Sequence, residues 1–174
     1  SPLQAIRHGI GLIPEDRKRQ GVMLWQSVSD NISLVVIQEL AGRLLVNNKK
    51  EKALLDKEIN MLNIKLQSVK QPVESLSGGN QQKVVLAKWL ATKCDILIFD
   101  EPTRGIDVGA KKEIYDFLFR LKKEGKSVIL ISSEMSEILN LSDRILVMYE
   151  GRMTGELGYK DATQELVLRK ASGM

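Results

Sequence analysis

Apolar residues recur along this chain in two rhythms, and the rhythm changes wherever glycine, proline or asparagine interrupts it. Apolar runs at Gly9–Ile13, Asp95–Phe99, Ser127–Ile131, Ile145–Tyr149 and Met153–Leu157 are too short for helices and predict strands. Asp95–Phe99 and Ser127–Ile131 are apolar at nearly every position, the pattern of strands covered on both faces of a parallel sheet. Helical spacing fills the intervals. Ser29 or Asp30 caps a predicted helix running to about Leu45, with Ile32, Val35, Val36, Leu40, Leu44 and Leu45 apolar. Asn47-Asn48 breaks it, and Lys49–Leu62 predicts a second helix with Ala53, Leu54, Ile59 and Leu62 facing inward. Asn63–Glu74, containing Pro72, reads as a polar connector. A long helix then opens at Ser77-Gly78-Gly79, an amphipathic one spans Ala110–Lys123 with Ile114, Leu118 and Leu121 on one side, and a last one covers about Thr163–Lys170. Strands alternating with helices, without internal repeats, define an α/β protein.

Bulk composition narrows this only a little. With 174 residues, 43% of them hydrophobic, the chain has enough material for the core of one domain. A net charge of +4 raises the question of nucleic acid, but the basic residues are dispersed and no aromatic-rich binding motif accompanies them, so no nucleic-acid partner is expected. The single Cys94 excludes an internal disulfide, agrees with a cytosolic setting, and precedes a buried strand, which predicts an inert packed thiol. No apolar run reaches membrane-spanning length, and no signal peptide is present. The first residue is Ser1 rather than an initiator Met, as expected for a piece of a longer polypeptide.

The candidate chemistry lies in one run, Leu76–Gly109, with three parts in fixed order. Ser77-Gly78-Gly79 opens a long helix, where unpaired N–H groups and the helix dipole favour an anion and glycines let it approach the backbone. Asp95–Phe99 ends in Asp100-Glu101, carboxylates at the carboxyl end of a parallel strand, where ligands of open α/β sheets sit. One such acid can hold Mg²⁺ and the other can orient a water for attack on phosphorus. Pro102 stops the strand, and Thr103–Asp107 forms a polar turn ahead of the next helix.

LSGGNQQK followed by ILIFDEPTRGID resembles the signature motif, Walker B motif and D-loop of an ATP-binding cassette (ABC) ATPase. The resemblance covers nearly the whole chain and is greatest to the second cassette of two-cassette importers of simple sugars, of ribose or galactose type. It implies a partial RecA-like P-loop NTPase core, at 1–28 and 92–174, with a helical subdomain at about 29–91. It further implies that Ser77, Gly78, Gly79 and Asn80 contact the γ-phosphate of ATP held by a second, head-to-tail cassette. Asp100 then holds Mg²⁺ through water, Glu101 is the general base, and Asp107 contacts the partner. The implied cofactors are ATP and Mg²⁺. The implied partners are the other cassette and transmembrane permease subunits, with the protein peripheral on the cytoplasmic face of the membrane.

Four departures qualify the resemblance. Glu15, followed by the charged run Asp16–Arg19, stands where the family has a Gln that reaches the metal and attacking water. Ser133 occupies the slot of the family's switch histidine, and the sole histidine, His8, reads as a surface residue. Asn80 replaces the usual Gln. Finally, the only Gly-Lys-Ser, Gly125-Lys126-Ser127, has Arg120 at the first glycine position of a P-loop and links a helix to a strand instead of the reverse, so Gly125 reads as a helix C-cap. The P-loop is therefore expected upstream of Ser1, and the chain alone is expected to be inactive. In the resembling fold the P-loop strand lies between the strands at Val128–Ile131 and Ile145–Tyr149. Its absence is expected to be made good by a shift of the Ile145–Leu157 hairpin or by self-association. Two alternatives remain open from sequence: a non-transport ABC ATPase, and a non-catalytic interaction module.

Overall fold

The first strand begins where the backbone turns left-handed. Gly9, at φ 73°, follows helix α1 (Pro2–Arg7), and its carbonyl accepts from the N–H groups of Asp95 (2.8 Å) and Ile96 (2.9 Å). That contact sets β1 (Ile10–Ile13) parallel to β2 (Ile96–Asp100), pairing Ile10 with Ile96 and Ile13 with Phe99. A Cβ on Gly11 would stand 2.9 Å from the Leu97 side chain and 3.1 Å from the Trp89 ring, so a larger residue would have to displace those side chains. The computed structural model describes residues 1–41 and 46–173, and the chain divides into two units, Ser1–Ile129 and Leu130–Met174.

In the first unit, Ser27 caps α2 (Val28–Ser33) by accepting from the Asp30 N–H at 3.0 Å, so the cap lies two residues before the predicted Ser29. The single helix expected to reach Leu45 is instead broken: α2 gives way to a 3-10 turn at Leu34–Val36 and a short α3 (Ile37–Leu40). The break falls on the run Val35-Val36-Ile37, whose β-branched side chains lose rotamer freedom in a helix. Leu44 and Leu45 lie outside the described residues. Asn47 accepts from the N–H groups of Lys49 and Lys50 to start α4 (Asn48–Leu62), and Asn63, at φ 49°, ends it in the left-handed conformation. The buried face of α4 is Leu55, Glu58 and Leu62; Ala53 is exposed and Leu54 and Ile59 are half-buried. The predicted inward face is thus rotated, because a buried carboxylate occupies a position that a hydrophobic pattern cannot reveal.

The signature helix α5 (Gly78–Ala91) buries Val84, Val85, Leu86 and Ala87. Helix α6 (Val108–Lys123) buries the predicted Ile114, Leu118 and Leu121, together with Phe117. Cys94 is buried, as expected of a packed thiol. Lys83, nearly buried on α5, ties elements together: its Nζ donates to the Asn63 carbonyl at 3.0 Å and pairs with Glu113 of α6.

Strand β3 (Ser127–Ile131) comes last in the order β1-β2-β3, with the Ser127 N–H donating to the Asp95 carbonyl at 2.8 Å. It was expected to be covered on both faces, yet Ile129 is 50% and Ile131 48% exposed. Both lie on the face they share with exposed Ser127, whereas Val128 and Leu130 on the other face are half-buried, so one face of β3 is left open among the described residues. In the second unit, α7 (Met135–Leu141) precedes an antiparallel hairpin of β4 (Arg144–Tyr149) and β5 (Arg152–Gly158). Glu150 and Gly151, at φ 45° and 77°, form its two-residue turn, with the paired left-handed geometry of type I′. Ile145, Val147 and Leu157 pack with Val167 of α8 (Gln164–Ala171). The hairpin forms its own two-stranded sheet, so among the described residues it does not pair with β3.

Candidate functional site

Two of the chemical pieces of the first unit, the helix start at Ser77-Gly78-Gly79 and the turn running to Asp107, meet at the start of α5. Ser77 has extended backbone and caps the helix, its Oγ accepting from the Asn80 N–H at 3.4 Å and from Asn80 Nδ2 at 3.0 Å. Asn80 Oδ1 accepts from the Lys65 N–H at 2.9 Å, so both ends of this side chain are used inside the chain, fixing the cap and the connector before it. Gly78 and Gly79 have different neighbours. A Cβ on Gly79 would stand 2.8 Å from Cβ of Ala110 on α6, so this buried glycine permits two helices to approach. A Cβ on Gly78 would meet Nη2 of Arg17 at 2.8 Å and the Gly105 carbonyl at 3.5 Å. Ser77 is exposed and Gly78 half-exposed, leaving this helix start open to an anion.

Asp100 ends β2 and Glu101 follows it, both half-buried. Glu101 has φ 46°, a left-handed conformation that costs a residue bearing a Cβ about 1–3 kcal/mol and concentrates at functional sites. Thr103 is buried, and the turn continues through exposed Arg104 and Gly105, at φ 68°, to Asp107. Asp107 is exposed and caps α6, its Oδ1 accepting from the Ala110 N–H at 2.9 Å.

The loop after β1 closes on this turn. Glu15 pairs with Arg104, so its carboxylate does not stand as an isolated negative charge. Arg17 donates from Nη1 to the Arg104 carbonyl (2.9 Å) and from Nη2 to the Gly105 carbonyl (3.2 Å). Sequence reasoning missed Arg17: in a run of charges it reads as solvated, and its partners lie 87 and 88 residues away. Ser133 belongs to the second unit, exposed in the turn before α7, where its neighbour Ser132 donates to buried Glu137 at 2.7 Å and accepts from the Glu134 N–H. His8 is exposed.

The arrangement fits phosphate and a divalent cation in part. Open glycine backbone at a helix start suits an anion, and paired carboxylates at a strand end suit a hydrated cation. Among the described residues no group of three or more His, Cys, Asp or Glu forms a metal-binding cluster, so a cation here would need nucleotide oxygens as further ligands. No helix of the described residues is long and apolar enough to cross a membrane.

Comparisons with known proteins agree with this geometry. Residues 1–104 match the family model described as ABC transporter. Over 172 residues the chain is 49% identical to the ribose import ATP-binding protein RbsA of Clostridium tetani, covering 98% of this chain and 34% of that protein. It is 48% identical over 173 residues to the RbsA of Geobacillus kaustophilus, covering 99% of this chain and 35% of that protein. The chain therefore spans about a third of the length of these curated relatives. Among solved structures, the ATP-binding cassette MJ1267 in its ADP conformation superposes with a TM-score of 0.76 at 18% identity, over 100% of this chain and 72% of that one. The dimeric cassette MJ0796, bound to ADP and phosphate after hydrolysis, gives 0.72 at 18% identity, over 89% and 66%. Fold, motifs and sequence identity together place this chain in the ABC transporter family of ATP-binding cassettes.

Proposed function

We propose that the chain is part of the ATP-binding and hydrolysing subunit of an ABC importer that couples ATP hydrolysis to uptake of a simple sugar. One observation carries the reading: the open start of α5 at Ser77-Gly78 stands against the turn that leaves the Asp100-Glu101 carboxylates, a juxtaposition suited to phosphate. The names of the relatives, as ribose importers, supply the sugar class. Mg²⁺, when bound, would offset phosphate charge. The Ser77 hydroxyl and the Gly78 and Gly79 amides face the γ-phosphate of a second cassette's ATP, with Asn80 holding the cap. Asp100 would hold the hydrated cation, and a carboxylate oxygen of Glu101 would take the proton of the attacking water. Asp107 faces the other cassette. The segment 29–91 acts as a helical subdomain and, with the loop at Glu15, faces permease subunits at the cytoplasmic side of the membrane. The full-length subunit reconstituted with its permease and a sugar-binding protein should take up ribose only with hydrolysable Mg-ATP; ribose uptake independent of ATP would refute the reading.

The absence of a P-loop pattern in this chain favours a second reading for the chain taken alone, a non-catalytic docking piece. The isolated chain should show no Mg-ATP binding tighter than the millimolar range, and should sediment larger than a monomer by pairing along β3. Calorimetry returning micromolar affinity would overturn the first expectation. A strictly monomeric profile at high concentration would overturn the second.

A further inference from the structure

The guanidinium of Arg17 is held in a way that a solvated loop residue is not. Asp16 Oδ1 accepts from the N–H groups of Lys18 and Arg19, both at 3.1 Å, and fixes a single π-helical turn, Arg17–Gly21. The far end of that turn rests on α5. A Cβ on Gly21 would stand 2.9 Å from the Val85 side chain, and Lys88 Nζ donates to the Gly21 carbonyl. With both ends of the turn fastened, the Arg17 side chain starts from a defined place beside α5. Its two terminal nitrogens bond two successive carbonyls, at Arg104 and Gly105, while Nε is buried without a partner among the described residues. A planar fork matches two neighbouring acceptors, whereas a lysine ammonium would meet them as a point charge. Gly105, the second acceptor, stands at φ 68°, a left-handed conformation that favours glycine at this turn. Because the acceptors are backbone, the contact does not depend on the side chains of the turn.

Accepting the proposed function, we propose that Arg17 is a positioning residue. It fastens the loop after β1, the start of the signature helix and the turn after Glu101 into one piece, so that displacement of the loop is delivered to both surfaces that face a second cassette. A loop solvated by water would transmit nothing of the kind. The geometry makes Arg17 the common neighbour of all three, through the 2.9 and 3.2 Å bonds on one side and the close approach to Gly78 on the other.

The test uses the full-length subunit assembled with its permease, carrying Arg17→Ala or Arg17→Lys. Amide hydrogen exchange should quicken about tenfold or more in peptides covering 102–107 and 76–80 for Arg17→Ala, with the peptide covering α8 unchanged, since the bonds released are local. The permease-stimulated kcat for Mg-ATP should fall roughly ten- to a hundredfold while KM stays within about threefold, because misplacement acts on the assembled site and not on nucleotide uptake. Arg17→Lys, which keeps the stem and charge, should recover only a minor part of kcat. Unchanged exchange at 102–107 would overturn the fastening. Quickened exchange with kcat retained, or full rescue by lysine, would overturn the positioning role. A wild-type complex without Mg-ATP hydrolysis would refute the proposed function instead, and the exchange data would still decide whether Arg17 holds the turn.

Discussion

Gly78→Asp in the full-length transporter should lower ATP-driven sugar uptake about a hundredfold or more, with subunit assembly intact. Two effects act together. A carboxylate at this half-exposed helix start repels the phosphate expected there and removes a preorganised set of donors, a loss of the order of 10²–10³ in rate. The new side chain also grows toward Arg17 Nη2, 2.8 Å from the built Cβ, and would draw the guanidinium from the Arg104 and Gly105 carbonyls. Gly78→Ala separates the two effects. Its methyl meets only the far end of a flexible side chain, so it should cost less. Glu101→Gln should also reduce uptake far less than Gly78→Asp. Under the proposed function, Glu15 and Ser133 would stand at the sequence positions where the family has Gln and His, so hydrolysis that relies on Glu101 should be slow already. Serine neither reaches as far as imidazole nor carries a positive charge. Pairing with Arg104 offsets the charge of Glu15 without supplying the missing amide. Matched uptake and ATPase measurements check this, and equal near-total loss in Gly78→Asp and Glu101→Gln would sink the asymmetry.

Phe99→Ala should destabilise the first unit by about 3–5 kcal/mol, the range for removing a buried aromatic ring. Phe99 is completely buried in β2 opposite Ile13, which is itself 1% exposed, so the vacated volume lies between elements that cannot easily collapse. Against a typical domain stability of about 5–15 kcal/mol, this is a large fraction. Ile129→Ala makes the control: on half-exposed β3 it should cost under about 1 kcal/mol. Urea denaturation of the two variants tests the pair, and similar losses would mean that β3 is covered as well as β2.

The contrast between those strands shows what could be read from the chain. SVILI and DILIF are equally apolar, and a run of apolar residues declares the demand for cover without saying whether a neighbour meets it. The signature, the strand-end acids and the turn that follows were legible because their chemistry is written in adjacent residues. So were Ile114, Leu118 and Leu121, where helical spacing carries the face. On α4 the spacing misled, since buried Glu58 holds a place in the inward face that a hydrophobic pattern assigns to solvent. Arg17 was illegible for a different reason. Its meaning depends on two carbonyls brought near by the β1–β2 pairing, and carbonyls leave no mark in a sequence.

The type I′ turn at Glu150-Gly151 has a consequence for the order in which the molecule assembles. Strands joined by two residues find each other in about 1–10 μs, so in refolding from denaturant the β4–β5 hairpin should form among the earliest contacts. The β1–β2 pair must first gather the whole helical segment between its strands, and loop-closure entropy delays it. On the ribosome the order reverses. β1 emerges first and waits several seconds for β2 at about 5–20 residues per second. Through that interval Ile10 and Ile13 lack β2, the strand they pair with in the folded chain, so this short segment stays unpaired with its partner far longer than either strand of the hairpin does.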